Sequence, residues 1–168
     1  SSSAIAVGTL NALYALKGQH VSAEKLAQEA SKIEIEILGH PIGKQDQYAV
    51  AYGNFNYIQF NANESVFIEP IICKEETKRE LKKNLLLFFT GMKADSGVIL
   101  TEQRNKTQEN IQVLDKMVEL AKELKRALEN NNLTEFGNIL HENWLLKQKL
   151  ANGITNPAIN GYYEKARE

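Results

Sequence analysis

The sequence has almost no cysteine, since Cys73 is its single thiol in 168 residues, and it contains only three histidines. One thiol cannot form an intramolecular disulfide, and one cysteine with three histidines does not match the ligand spacing of a Cys/His zinc module. A disulfide-stabilised domain and a zinc finger are therefore excluded. The sequence predicts a reducing, cytoplasmic compartment.

The chain also lacks an excess of charge of one sign, because 20 basic and 21 acidic residues leave a formal net charge of -1. Such a balance creates no field that attracts nucleic acid or an anionic membrane. No apolar run approaches the roughly 20 residues of a spanning helix, and no basic segment precedes a short apolar stretch at the start. We expect neither nucleic acid nor a membrane as a partner.

Apolar residues make up 43% of the chain, and their pattern in its first part predicts helices. Residues 4–16 are small or apolar at nearly every position, which predicts a helix buried on all sides. Three serines precede it as N-cap candidates, and a helix N-terminus favours anions. Ser22 is placed to cap a second helix, in which Leu26 and Ala30 begin an apolar stripe and Glu34 lies beside it.

Strand patterns follow in the middle of the chain. Residues 55–60 and 65–71 alternate apolar and polar side chains on either side of a turn at 61–64, which predicts a β-hairpin. Residues 85–89, LLLFF, predict a buried strand that ends at Thr90 and Gly91. The loop after such a strand commonly opens onto a site.

The pattern in the last third of the chain also predicts helices. Apolar residues recur in three- and four-residue steps over 111–128, and the asparagines at 130–132 interrupt the pattern. Thr134 is a candidate cap for the next helix, and Pro157 begins a final one. Residues 75–83 predict a further, highly charged helix.

A turn rich in glycine and proline occupies residues 39–48, GHPIGKQDQY, and leads into a short helix predicted over 44–51. It carries a carboxylate, a lysine and two carboxamides. A solvated connector is one interpretation of this turn. The other is a segment that holds Asp46 in place for chemistry.

Three features together indicate phosphoryl transfer: the serine-rich helix start, Glu34 in the next helix and Asp46 in the turn. Such catalysis needs a phosphate cradle, a divalent cation and a group that orients or deprotonates the attacking hydroxyl. Glu34 is open to a second interpretation, as a salt-bridge partner near the core. Since the P-loop pattern and the protein-kinase signatures are absent, a kinase built from these residues uses another scaffold.

These residues resemble the GHMP kinase family, named for galactokinase, homoserine kinase, mevalonate kinase and phosphomevalonate kinase. The opening SSSA is similar to the end of the family's G-L-G-S-S-[SA]-A motif. Glu34 and residues 41–46, PIGKQD, are similar to its E…P-x-G-x-x-D segment. Within the family the chain resembles bacterial heptose 7-phosphate kinases over essentially its whole length, where SSS, GKQDQY, TG and HENWLLK recur in this order.

The resemblance implies roles for individual residues. Ser1, Ser2 and Ser3 would cradle the phosphates of ATP, with Ser2 and Glu34 as ligands of Mg²⁺. Asp46 would orient or deprotonate the acceptor hydroxyl. Contacts to the sugar or the transition state are expected from Gly43, Lys44, Gln45, Gln47, Thr90 and Gly91.

The resemblance also implies an α+β fold that is incomplete at both ends. Residues 1–75 would be the remainder of an N-terminal domain related to ribosomal protein S5 domain 2, and 76–168 part of a ferredoxin-like C-terminal domain. Relatives often carry arginine shortly after Thr-Gly, where this chain has Lys93, so a phosphate clamp is not expected there. We expect the fragment alone to be inactive and its parent to be a kinase.

The implied function is an ATP- and Mg²⁺-dependent kinase for the anomeric hydroxyl of D-glycero-D-manno-heptose 7-phosphate, in the synthesis of lipopolysaccharide or capsule. One alternative is a kinase for galactose, fucose or an N-acetylhexosamine. The other is a noncatalytic sensor of the same fold, against which Asp46 and Glu34 argue. The sugar's stereochemistry and the oligomeric state are not encoded in any motif.

Overall fold

A computed structural model describes residues 2–91 and 96–168. Ser1 and Lys93, both singled out in the sequence, lie outside the described residues. The chain forms two compact units, Ser1–Ile71 and Ile72–Glu168. The described elements belong to the α+β class.

The first unit combines helices with one β-hairpin. Its helices are α1 Ser2–Leu16, α2 Ala23–Ser31 and α3 Gln45–Tyr52, and α2 continues directly into a π-helical segment, Lys32–Ile37. The predicted hairpin is confirmed by the antiparallel strands β1 Asn56–Phe60 and β2 Val66–Pro70, with Ile58 opposite Ile68.

The core of this unit lies where α1, α2 and α3 pack together. Val7 of α1 and the stripe residues Leu26 and Ala30 of α2 form its buried cluster. The predicted cap of α2 is confirmed, because Ser22 Oγ accepts a hydrogen bond from the Lys25 amide at 3.2 Å. On α3, Tyr48 is buried and meets Phe60 of β1 edge to face, with ring centroids 5.6 Å apart, so the hairpin is attached to α3.

The expectation that α1 is buried on all sides is wrong. Ile5 and Leu16 are 72% and 83% exposed, whereas Val7 is only 4% exposed. The reason is the number of neighbours, since within this unit α2 and α3 pack on the Val7 side of α1 and leave its other sides uncovered.

The second unit is helical in the part that the structure describes. Its helices are α4 Glu75–Asn84, α5 Ser96–Asn105, α6 Ile111–Glu129, α7 Leu133–Lys147 and α8 Pro157–Arg167. Helices α6 and α7 pack around the buried residues Leu120, Ala127 and Ile139. None of the described helices is both long and apolar enough to cross a bilayer.

Two predictions for the second unit are wrong. Helix α7 is capped by Asn132, whose side chain accepts a hydrogen bond from the Glu135 amide at 3.0 Å, and Thr134 lies inside the helix. Residues 85–89 form no strand, and Leu87 and Phe89 are 100% and 98% exposed. A strand requires a hydrogen-bonded neighbour, and over residues 2–91 and 96–168 the sheet consists of β1 and β2 alone.

Asn131 supplies a cap to a helix distant in sequence. Its Oδ1 accepts hydrogen bonds from the Lys74 amide at 2.9 Å and from Thr77 Oγ1 at 2.6 Å, at the start of α4. Its φ of 58° lies in the left-handed region, which glycine also adopts readily. The substitution Asn131→Gly therefore keeps the backbone and removes the two hydrogen bonds to α4, together with a longer one of 3.3 Å from Asn131 Nδ2 to the Glu129 carbonyl.

We expect Asn131→Gly to lower the free energy of unfolding by about 1–2 kcal/mol, the net contribution of one or two hydrogen bonds. Urea unfolding of the variant and of the control Asn130→Gly measures the difference, since Asn130 is exposed and makes neither contact. Equal unfolding midpoints for the two variants would contradict the capping role.

Candidate active site

Glu34 occupies the π-helical segment that follows α2, and its side chain is turned into the first unit with only 2% of its surface exposed. The segment is wider than an α-helix, as the hydrogen bond from the Leu38 amide to the Ile33 carbonyl, five residues back, shows at 2.9 Å. Such π-helical turns often occur at functional sites. The helix thus places a carboxylate at a position where few charged groups are found.

Hydrogen-bond donors from two other helices surround this carboxylate. Gln47 of α3 donates from Nε2 to Glu34 Oε2 at 2.6 Å, and the hydroxyls of Ser2 and Ser3 at the start of α1 lie close enough to stabilise the charged carboxylate. Oε1 of Glu34 is buried and has no hydrogen-bond partner among residues 2–91 and 96–168. The structure therefore brings four of the sequence-predicted site residues, Ser2, Ser3, Glu34 and Gln47, into one cluster.

Burial by itself raises the pKa of Glu34, because a charged group loses its hydration. The hydrogen bonds from Ser2, Ser3 and Gln47, together with the positive charge of His40, act in the opposite direction and hold the pKa below its usual value. The carboxylate is therefore ionised at neutral pH. A buried negative charge with one unpartnered oxygen is suited to a cation.

The lowered pKa predicts a pH dependence of folding. The folded state favours ionised Glu34, so its contribution to stability is fully present above the ordinary carboxyl pKa of about 4.5 and is lost as the pH falls through the lower folded value. We expect the difference in unfolding free energy between the wild type and Glu34→Gln to shrink at acid pH. Urea titrations at pH 7 and below pH 4 measure it, and an unchanged difference would contradict the prediction.

The donor set fits Mg²⁺ better than a softer metal. It consists of one carboxylate and hydroxyl oxygens at the N-terminus of α1, the end that carries the positive dipole and favours phosphate. No group of three or more His, Cys, Asp or Glu side chains suited to a metal occurs within the described ranges. Mg²⁺ commonly uses one or two carboxylates and completes its shell with water and phosphate oxygens.

Asp46 lies in the first turn of α3, one residue before Gln47. Its carboxylate is exposed, and it makes no hydrogen bond or ion pair in the part of the chain that the structure describes. Because Gln47 contacts Glu34 directly, the backbone of Asp46 lies beside the same cluster. The turn thus presents one carboxylate outward next to the buried one.

Gly43, Lys44 and Gln45 line a cleft of about 380 Å³ whose other wall is the hairpin turn. Lys44 Nζ forms an ion pair there with Glu64 Oε2. The side chain of Glu64 is 78% exposed, and ion pairs of this kind contribute little to stability. The cleft therefore has a cationic side chain that an incoming anion can compete for.

The remaining predicted site residues lie in the second unit. Thr90 lines a groove of about 620 Å³ together with Phe89 and Tyr162, and Gly91 has a φ of 70°. The HENWLLK segment lies on α7, where His141 Nδ1 is 2.8 Å from Tyr163 Oη of α8. His141 thus makes a polar contact between α7 and α8.

Two site features had not been predicted from the sequence. Gln47 was expected to contact sugar, whereas its side chain is 0% exposed and bonds to Glu34. A role for Glu64 was not predicted, because a turn residue with an exposed carboxylate is common. Its pairing with Lys44 depends on the hairpin folding back over the turn, which no local pattern encodes.

Residues 1–54 match the family of the GHMP kinases N terminal domain. Two curated relatives align with nearly the whole chain. A D-glycero-alpha-D-manno-heptose 7-phosphate kinase from Campylobacter jejuni is 26% identical over 98% of this chain and 49% of its own length. A bifunctional fucokinase/GDP-fucose pyrophosphorylase from Arabidopsis thaliana is 25% identical over 98% of this chain and 16% of its own length.

A solved structure has a similar fold. The crystal structure of a D-glycero-D-manno-heptose 1-phosphate kinase from Bacteriodes thetaiotaomicron superposes with a TM-score of 0.74 and 27% identity, over 99% of this chain and 54% of that one. The chain thus spans about half the length of that structure and of the Campylobacter relative, and much less of the Arabidopsis protein.

Proposed function

We propose that the full-length protein is an ATP-dependent sugar kinase, because residues 1–54 match the family of the GHMP kinases N terminal domain. The acceptor that we propose is the anomeric hydroxyl of D-glycero-D-manno-heptose 7-phosphate. The proposal rests on one observation above all: the buried, ionised Glu34 has a free Oε1 beside the serine start of α1 and next to the outward-facing Asp46.

The proposed roles follow from this arrangement. Ser2 and Ser3 bind phosphate oxygens at the N-terminus of α1, and Ser2 and Glu34 hold Mg²⁺. Bound Mg²⁺ supplies positive charge that neutralises the charge developing on the transferred phosphoryl group. The hydroxyls of Ser2 and Ser3 stabilise the charged Glu34 carboxylate, so the residues that we propose to bind phosphate lie beside the proposed metal ligand.

Asp46 is proposed as the group that receives the proton of the acceptor hydroxyl. As the new bond between the sugar oxygen and the γ-phosphorus forms, the bond from that phosphorus to the bridging oxygen of ADP breaks. The proton of the hydroxyl passes to the Asp46 carboxylate. Exposure of Asp46 and the absence of a described partner support this role, because its oxygens are available to a substrate.

The heptose assignment rests on similarity to two kinases whose names specify heptose phosphates. Lys44 gives it chemical support, since its ammonium group in the 380 Å³ cleft is suited to an anionic acceptor. The fucokinase relative favours a second candidate, a kinase for an unphosphorylated sugar such as fucose.

An acceptor screen separates the two candidates. We expect the full-length protein to show its highest kcat/KM with the heptose 7-phosphate, and lower values with fucose, galactose and N-acetylhexosamines. Lys44→Met should raise the KM for a phosphorylated acceptor, whereas it should change the KM for a neutral sugar little. A preference for a neutral sugar that Lys44→Met leaves intact would replace the heptose assignment with the second candidate.

A further inference from the structure

We propose that Gln47 is a positioning residue for the cation site, through which it controls the affinity for metal-bound nucleotide. This inference rests on the proposed function, in which Glu34 is the carboxylate ligand. The amide of Gln47 holds Glu34 Oε2 by a hydrogen bond and so leaves Oε1 as the oxygen that the cation uses. Gln47 itself contacts neither the sugar nor the metal.

The first observation is that the side chain of Gln47 is buried. Its side chain is 0% exposed, on α3 next to the buried Tyr48, while Gln45 and Asp46 on the same helix are exposed. A sugar contact requires an accessible side chain, which this one is not. The fully buried amide is instead directed at another helix.

The second observation is the hydrogen bond that Gln47 donates to Glu34. At 2.6 Å it is short for a nitrogen donor, as expected when the acceptor is an ionised carboxylate. Such a bond fixes which of the two oxygens is occupied and which is free. Partners that orient metal ligands in this way are a regular feature of metal sites.

The third observation concerns one buried oxygen atom on each of these two side chains. Both Glu34 Oε1 and Gln47 Oε1 are buried and have no hydrogen-bond partner among the described residues. Leaving a buried polar atom without a partner costs free energy, so these two atoms on bonded side chains are suited to accept a ligand. A cation held by Glu34 would satisfy the first atom, and a water molecule would satisfy the second.

A packing role alone does not account for this residue. If Gln47 only filled space beneath α3, an apolar side chain of the same volume would serve better, because a buried amide loses its hydration. The substitution Gln47→Met is close in shape, and it removes the donor to Glu34 together with the free oxygen. It therefore separates the two roles.

The test measures binding of ATP to the full-length protein by titration calorimetry, once with excess Mg²⁺ and once with EDTA. We expect Mg²⁺ to strengthen ATP binding by the wild type, and Gln47→Met to reduce this enhancement by about tenfold or more. The KM for Mg²⁺ at saturating ATP should rise by about 10- to 100-fold. Gln112→Met, at an exposed position of α6, is the matched control and should change neither quantity.

The Mg²⁺ enhancement is a ratio that a merely structural role does not move, since loss of packing weakens ATP binding with and without metal alike. An undiminished enhancement in Gln47→Met would overturn the inference and leave the kinase proposal standing. Absence of any Mg²⁺ enhancement in the wild type would overturn both.

Two further variants keep the test decisive. If Gln47→Met does not fold, Gln47→Asn keeps the amide on a shorter side chain and should still reduce the enhancement, so a folded Asn variant with full enhancement would overturn the inference. In the double variant Glu34→Gln/Gln47→Met we expect no loss beyond that of Glu34→Gln alone, because the two side chains act as one unit. Additive losses would overturn it as well.

Discussion

Replacing Asp46 with asparagine is expected to lower the kcat of the full-length protein for sugar phosphorylation by about 10²- to 10⁴-fold, the usual contribution of a general base. Asparagine has nearly the same shape but cannot accept the proton of the acceptor hydroxyl. The KM for ATP should change little, because Asp46 is separate from the serines and Glu34 that we assign to the nucleotide. A steady-state assay of both constants checks the prediction.

Stability is the internal control for this variant. Asp46 is exposed and makes no hydrogen bond or ion pair in the described parts of the chain, so the Asn variant should unfold at the wild-type temperature. Asp115→Asn, at an exposed position of α6, is the matched substitution and should keep full activity. Wild-type kcat in Asp46→Asn would remove this residue from the mechanism.

The second large effect is expected for Glu34→Gln. Loss of the carboxylate ligand should lower kcat/KM by roughly two to three orders of magnitude, since a bound metal contributes several kcal/mol of charge stabilisation and about 1.4 kcal/mol corresponds to tenfold in rate. Unlike Asp46→Asn, this variant should also raise the KM for Mg²⁺. Initial rates over a range of Mg²⁺ concentrations separate the two mechanisms.

The chain offers a close control for Glu34. Glu36 lies in the same π-helical segment, but its side chain is exposed, so Glu36→Gln removes the same charge from the same segment without touching the cluster. We expect Glu36→Gln to keep the wild-type dependence on Mg²⁺. An equal effect of the two substitutions would mean that net charge matters and the Glu34 position does not.

Local patterns predicted those elements of the fold whose causes are local. Ser22 caps α2 because serine accepts a hydrogen bond at a helix start, and the alternation over residues 55–60 and 65–71 forms the hairpin. The turn at 39–48 likewise leads into α3 within a residue of the expected start.

Features that depend on distant neighbours were not predictable in this way. The apolar run 85–89 has the composition of a buried strand, yet pairing depends on a second strand that local sequence cannot supply. The exposed sides of α1 have the same cause, since burial is decided by which elements pack together. Thr134 was the expected cap of α7, but the helix begins two residues earlier than that cap requires, and Asn132 caps it.

In the candidate site, too, features with local causes were predictable, whereas contacts between residues distant in sequence were not. Glu34 was recognised from its place beside an apolar stripe, but its near-complete burial was not predicted, since a salt-bridge partner near the core remained the second interpretation. Its partner Gln47 is 13 residues away in sequence, so only the packing of α2 against α3 reveals their bond. The roles of Ser2, Glu34 and Asp46 stay predictions, which the variants above test.

We propose that the full-length protein transfers phosphate from ATP to the anomeric hydroxyl of a heptose 7-phosphate. The most direct test is phosphorus NMR of a reaction that contains the protein, ATP, Mg²⁺ and D-glycero-D-manno-heptose 7-phosphate. We expect ADP and, in equal amount, a sugar bisphosphate whose new phosphorus is coupled to the anomeric proton, and we expect neither product when Asp46→Asn replaces the wild type over the same time. Unchanged ATP and heptose 7-phosphate, or a new phosphate on any other hydroxyl, would contradict it.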